Sequence, residues 1–232
     1  MSVAPGTVKI CSLQQPVHAE YVVEAGADLF GLIFAEARRQ VSVPAAREIV
    51  GQARTLRADG GPRAVGVFVE QVANDINRIA DEVGLDLVQL HRPEAAVGQR
   101  IERPVIVVIH ATPQTKVSAV AEYIGAIEES GTLVAGIAVD AYSASSHGGT
   151  GKVADWAIAR QLARSYPTLL AGGLHPDNVA GAIQAVSPYG IDVSSGVETD
   201  GEKDRAKIIA FAHAARSAFA ASVGQVNDVP FG

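Results

Sequence analysis

Cys11 follows Lys9 by two residues on a short apolar run, and Asp140 closes another apolar run. A thiol and a carboxyl group can serve as base and acid if both reach one substrate. Only the thiolate is a useful base, and a neighbouring cation such as Lys9 favours it. Side chains alternate along a strand, so Lys9 and Cys11 share one face while Val8 and Ile10 share the other. Val8 and Ile10 suit a helix layer. That aims Lys9 and Cys11 inward, an expensive place for a lone ammonium. Lys9 is therefore equally suited to pairing with an inward acid such as Asp192. The plainer readings are a cysteine that fills core space and an aspartate that caps a turn.

A second chemistry sits near the end of the chain. The tract Asp192-Val193-Ser194-Ser195-Gly196-Val197-Glu198, then Gly201, Lys203 and Asp204, ends an apolar run and leads towards a helical segment. Free backbone N–H groups in such a turn can bind an anion, and Gly196 lets it come close. Gly172-Gly173-Leu174-His175-Pro176 forms a similar turn upstream. Two such turns suggest one phosphate held between the last two strands of a barrel. Gly149 lies in the glycine cluster after Asp140, a candidate for close approach to a ligand. Its spacing is not that of a P-loop.

Other polar residues fall at strand ends. Arg38 and Arg39 follow the second apolar run, where one could fork onto a carboxylate. Gln89 and His91 end the fourth. The remaining histidines have no metal-ligand spacing, so no metal site is expected.

The elements that must hold these residues alternate strictly. Apolar runs at residues 8–13, 28–34, 64–69, 85–90, 104–109, 133–139, 168–171 and 190–194 read as strands. Amphipathic stretches at 16–25, 44–56, 72–83, 117–128, 153–164, 176–186 and 203–221 read as helices. Pro44 and Pro176 stand where a helix start accepts proline. The crossover near 93–100 is too short to assign. Eight βα units predict a parallel sheet closed into a (β/α)8 TIM barrel, class α/β. We expect one domain over residues 1–232, with the barrel proper at 8–214 and a frayed tail.

The chain's 232 residues fit one such barrel, which usually needs about 250. Its 19 basic and 25 acidic residues give a net charge of −6, an argument against nucleic acid or an anionic membrane as partner. The single cysteine forbids an intrachain disulfide and suits a reducing, cytoplasmic setting. Neither a signal-like N-terminus nor an apolar run of the ~18 residues a span needs is evident.

In order along the chain, Lys9-Ile10-Cys11, Arg39-Gln40-Val41-Ser42, Val88-Gln89-Leu90-His91, Asp140 with Gly148-Gly149-Thr150-Gly151, Ala171-Gly172-Gly173-Leu174 and the Asp192 tract resemble phosphoribosylanthranilate isomerases. The resemblance runs from about Val8 to Ala214. It implies an Amadori rearrangement of N-(5-phosphoribosyl)anthranilate, a small phosphosugar, in tryptophan biosynthesis. Cys11 then maps onto the base, Asp140 onto the acid and Arg39 onto the residue facing the substrate carboxylate. Gly149, Gly172, Gly173, Ser194, Ser195 and Gly196 would hold the phosphate. Lys9, Gln89, His91 and Asp192 would support the site. No cofactor is implied, and the protein would be a monomer or homodimer.

The departures cluster on the early strands. Ser12 and Arg92 stand where the family usually has glycine, and Gln40 where an aromatic is common. The loop at 13–18 lacks the usual Asn and Asp. Two other readings remain at this stage: a related barrel isomerase acting on another aminated ribose phosphate, and a non-catalytic phosphosugar-binding barrel. The latter needs neither Cys11 nor Asp140.

Overall fold

The computed structural model describes residues 4–56, 60–91, 98–140 and 156–226. Eight strands form a closed parallel barrel in chain order. They are β1 (Thr7–Ile10), β2 (Leu29–Ile33), β3 (Arg63–Phe68), β4 (Leu87–Leu90), β5 (Val105–His110), β6 (Val134–Asp140), β7 (Thr168–Ala171) and β8 (Gly190–Val193). The helices are α1 (Pro16–Glu24), α2 (Val43–Leu56), α3 (Ala73–Val83), α4 (Val117–Glu128), α5 (Ala157–Ala163), α6 (Val179–Val186) and α7 (Arg205–Val226). The predicted barrel class is the one observed.

Alternation along the strands builds two apolar layers. Leu29, Val65, Leu87, Ile106, Val108, Ala138 and Leu169 pack together as one cluster inside the barrel. Phe30, Leu32, Val88, Leu90 and Ile191 belong to the larger cluster shared with the helices, as do Val8 and Ile10. Lys9 and Cys11 thus point inward, as the pattern predicts. The β-branched run of β5, Val-Ile-Val-Val-Ile, suits a strand buried on both faces. Helix α3 shows the complementary pattern, burying Ala73, Ile76, Ala80 and Val83 on one stripe. It ends at Gly84, whose φ of +77° places the carbonyls for a left-handed cap.

Several boundaries differ from the sequence reading, each for a local reason. Strand β1 stops at Ile10 because Ser12 turns into the left-handed region. Helix α6 starts at Val179, not at Pro176. Asn178 accepts from His175 N–H at 2.8 Å and donates to the Gly173 carbonyl at 2.9 Å, so this stretch closes a turn first. Helix α7 starts at Arg205 because Lys203 belongs to an antiparallel ribbon, β9 (Glu198–Thr199) with β10 (Glu202–Lys203). The start of the helix expected at 153–164 lies outside the described residues, as does most of the fourth crossover.

Candidate active site

The C-terminal ends of the strands open onto one cavity of ≈ 270 Å³. Cys11 and Ser12 just after β1, Arg39 after β2, and Gln89 and His91 at the end of β4 line it. Asp140 from β6, Gly172 and Gly173 after β7, and Asp192 to Gly196 from β8 and the turn after it complete the wall. The closed strand order places β7 and β8 between β6 and β1. The two glycine turns therefore lie between the thiol and the carboxyl group. Gly149, Arg92 and the rest of the glycine cluster after Asp140 lie outside the described residues.

The two turns are fitted to each other. A Cβ added at Gly196 would stand 1.8 Å from the Leu174 carbonyl oxygen, so only glycine permits this contact. Gly172 and Gly173 have φ of +93° and +63°, which side chains rarely adopt. Residues 195–197 form a single 3-10 turn. Ser194 starts it, and the buried Lys203 ammonium donates to the Ser194 carbonyl at 2.9 Å.

Lys9 is fully buried and donates to Asp192 Oδ2 at 2.7 Å, across register-matched positions of β1 and β8. Burial presses the ammonium towards neutrality, but the charge of Asp192, with Cys11 adding to it, outweighs burial and raises the lysine pKa. Burial raises that of Asp192 against the pull of Lys9 and Lys203. Asp192 Oδ1 and Gln89 Oε1 are buried acceptors without a hydrogen-bond partner among the described residues.

Arg39 makes a two-pronged ion pair with Glu198, through Nε at 2.8 Å and NH2 at 2.7 Å. Lys203 donates to the same carboxylate at 2.9 Å, and Arg38 approaches it at 3.4 Å. Burial pushes the Glu198 carboxyl up, but hydrogen bonds from Arg39 and Lys203 win and hold it below its usual range. The Lys203 ammonium is shifted down, because burial outweighs Glu198. Glu198 thus ties the second loop to the β8 turn. Sequence reasoning missed this role: the acid and the lysine flank a turn, but nothing local points to an arginine 159 residues away. His110 Nδ1 lies 4.0 Å from Asp140 Oδ2, and its ring centroid is 5.7 Å from that of His91.

The thiol also packs against Gly31 on β2, a contact the sequence does not show. A Cβ at Gly31 would stand 2.5 Å from Cys11 Sγ and 3.2 Å from its Cα. Gly31→Ala is expected to cost about 1–3 kcal/mol by overpacking. Urea unfolding measures that loss.

The family profile described as N-(5'-phosphoribosyl)anthranilate isomerase matches residues 8–214. An isomerase of that name from Roseiflexus castenholzii is 43% identical over 219 residues, spanning 91% of this chain and 98% of that one. This chain belongs to the N-(5'-phosphoribosyl)anthranilate isomerase family. Phosphoribosylanthranilate isomerases also stand among its structural neighbours. The Thermotoga maritima enzyme superposes with a TM-score of 0.74 at 30% identity, covering 91% of this chain and 98% of that one. Another phosphoribosylanthranilate isomerase, solved with reduced 1-(o-carboxyphenylamino)-1-deoxyribulose 5-phosphate, gives 0.71 at 28% identity, with 91% and 98% covered. The activity is that of the family, an isomerisation in tryptophan biosynthesis.

Proposed function

We propose that the cavity converts N-(5'-phosphoribosyl)anthranilate to 1-(2-carboxyphenylamino)-1-deoxyribulose 5-phosphate, with Cys11 as base and Asp140 as acid. The observation that carries this reading is the shared cavity: the thiol and the carboxyl group line it with the two glycine turns between their strands. A sugar phosphate seated on those turns has its ring flanked by both groups.

Asp140 gives a proton to the furanose ring oxygen, and the C1–O bond breaks. The nitrogen lone pair forms the C1=N iminium, which acidifies C2–H. Cys11 as thiolate takes that proton, giving the enaminol. The Asp140 carboxylate then takes the C2 hydroxyl proton as the Cys11 thiol returns one to C1, so the ketone forms and both groups regain their starting protonation. Atoms and charge balance, as an isomerisation requires. Arg39 uses its Nε and NH2 edge on Glu198, which leaves NH1 to face the anthranilate carboxylate. The phosphate rests on amides of Gly173 and of 194–196. The unpartnered acceptors Gln89 Oε1 and Asp192 Oδ1 suit substrate hydroxyl or N–H donors. Holding the remote phosphate orients the reacting carbons.

The direct test follows loss of anthranilate-ring fluorescence when the full chain meets freshly made substrate. Turnover is expected; an inert wild type would overturn the reading. Ser195 is exposed at the cavity wall, so Ser195→Asp adds a negative charge at the phosphate seat without core damage. At an effective dielectric of about 20, repulsion over a few ångströms predicts a rise in KM on the order of 10–100-fold. An unchanged KM would move the phosphate elsewhere.

A further inference from the structure

Ser12 directly follows Cys11 and has a φ of +69°, a conformation that favours glycine. Among the described residues, Ser187 and Asp200 are the other non-glycines with positive φ. Ser187 closes α6, and Asp200 sits in the β9–β10 turn. Ser12 instead is 2% exposed and forms part of the cavity wall. Strain kept at such a place in a wall, rather than in an exposed turn, points to a use for the side chain.

That side chain has a partner in the β8 turn. Ser12 Oγ lies 2.9 Å from Ser194 Oγ. The Ser194 carbonyl is already fixed by Lys203 Nζ. Ser194 is thus gripped at its backbone by Lys203 and at its hydroxyl by Ser12. Each hydroxyl has one proton to give, and an ionised phosphate oxygen only accepts.

We propose that Ser12 is a positioning residue for the substrate phosphate: its O–H donates to Ser194 Oγ, and the Ser194 O–H then points at a phosphate oxygen. This rests on the reading that residues 194–196 seat the phosphate. The donor order follows from the acceptor-only ligand. Two hydroxyls aligned in series polarise each other, which strengthens the second bond. Glycine at position 12 relieves the strain but cannot make this contact. Ser12 therefore links the chain next to the thiol, at the end of β1, to the anion turn after the neighbouring strand β8.

Two variants separate the hydroxyl from the strain. Ser12→Ala keeps the strain and loses the hydroxyl; Ser12→Gly loses both. Inorganic phosphate, titrated by calorimetry and used as a competitive inhibitor of the full chain, is the probe. Both variants should weaken phosphate binding by roughly 3–10-fold, the range of a lost hydrogen bond of about 1 kcal/mol. The loss of kcat/KM should fall mainly on KM. Ser12→Gly should melt above Ser12→Ala. Ser194→Ala should weaken phosphate similarly, and adding Ser12→Ala to it should cost little more. Phosphate affinity unchanged in both Ser12 variants, or fully additive losses, overturns the proposal. If Ser195→Asp weakens phosphate while the Ser12 variants do not, the Ser12 link alone fails. If Ser195→Asp also has no effect, the phosphate seat itself is misassigned.

Discussion

Cys11→Ala is expected to lower kcat by about 10²–10⁴-fold while inorganic phosphate still binds, and Asp140→Asn to do the same. Those factors correspond to roughly 3–5 kcal/mol of transition-state stabilisation. Asparagine keeps the shape of Asp140 but cannot give a proton to the ring oxygen. Alanine leaves no base on β1. Cys11→Ser is the finer probe, since a hydroxyl of similar size is a far weaker base at neutral pH. It should sit nearer to alanine than to wild type. The phosphate turns stand on β7 and β8, apart from both replaced side chains, so the loss should fall on kcat rather than on ligand affinity. Single-turnover fluorescence decay, with phosphate titration as control, measures both. A Cys11→Ala variant retaining rates within tenfold of wild type would remove the thiol from the mechanism. The two groups act on one substrate, so the double variant should not show the product of the single losses.

The barrel was legible because its signal is local and repeated. Each strand is an apolar run, each helix an amphipathic stretch, and neither requires knowledge of distant residues. The lining of the cavity was legible for a related reason. Strand ends in a barrel converge, so a polar residue closing an apolar run, such as Asp140 or His91, is placed by its element alone. The inward aim of Lys9 and Cys11 followed from alternation, and the Lys9–Asp192 pair followed from the cost of an isolated buried charge. Glu198 was not legible in the same way. Its partner Arg39 lies 159 residues away, and no periodicity joins them. The β9–β10 ribbon is too short to alternate, and its last residue, Lys203, was read as the start of a helix. The left-handed turn at Ser12, which ends β1 early, showed only through the resemblance, in the glycine usual at that position, because serine itself gives none of the warning that glycine would.

Lys9→Met is the stability counterpart, expected to cost about 3–5 kcal/mol because it strands a buried carboxylate. The methionine replaces the aliphatic stem and removes the ammonium 2.7 Å from Asp192 Oδ2. Asp192 Oδ1 already lacks a partner, and burial already raises the carboxyl. Losing Lys9 therefore leaves the unpaired group two poor choices: a desolvated charge or a proton taken from solvent. For a chain of this length the melting temperature should fall by roughly 6–20 °C. Lys9→Met combined with Asp192→Leu should regain much of that loss, since a buried pair replaced by apolar groups is often neutral or stabilising. Activity should not return, because Asp192 faces the cavity and the thiol has lost the ammonium two residues before it. Urea unfolding of both variants, beside their turnover, separates the two effects. A single variant as stable as wild type would mean that Asp192 is held by other groups, and that the ammonium on β1 serves the thiol alone.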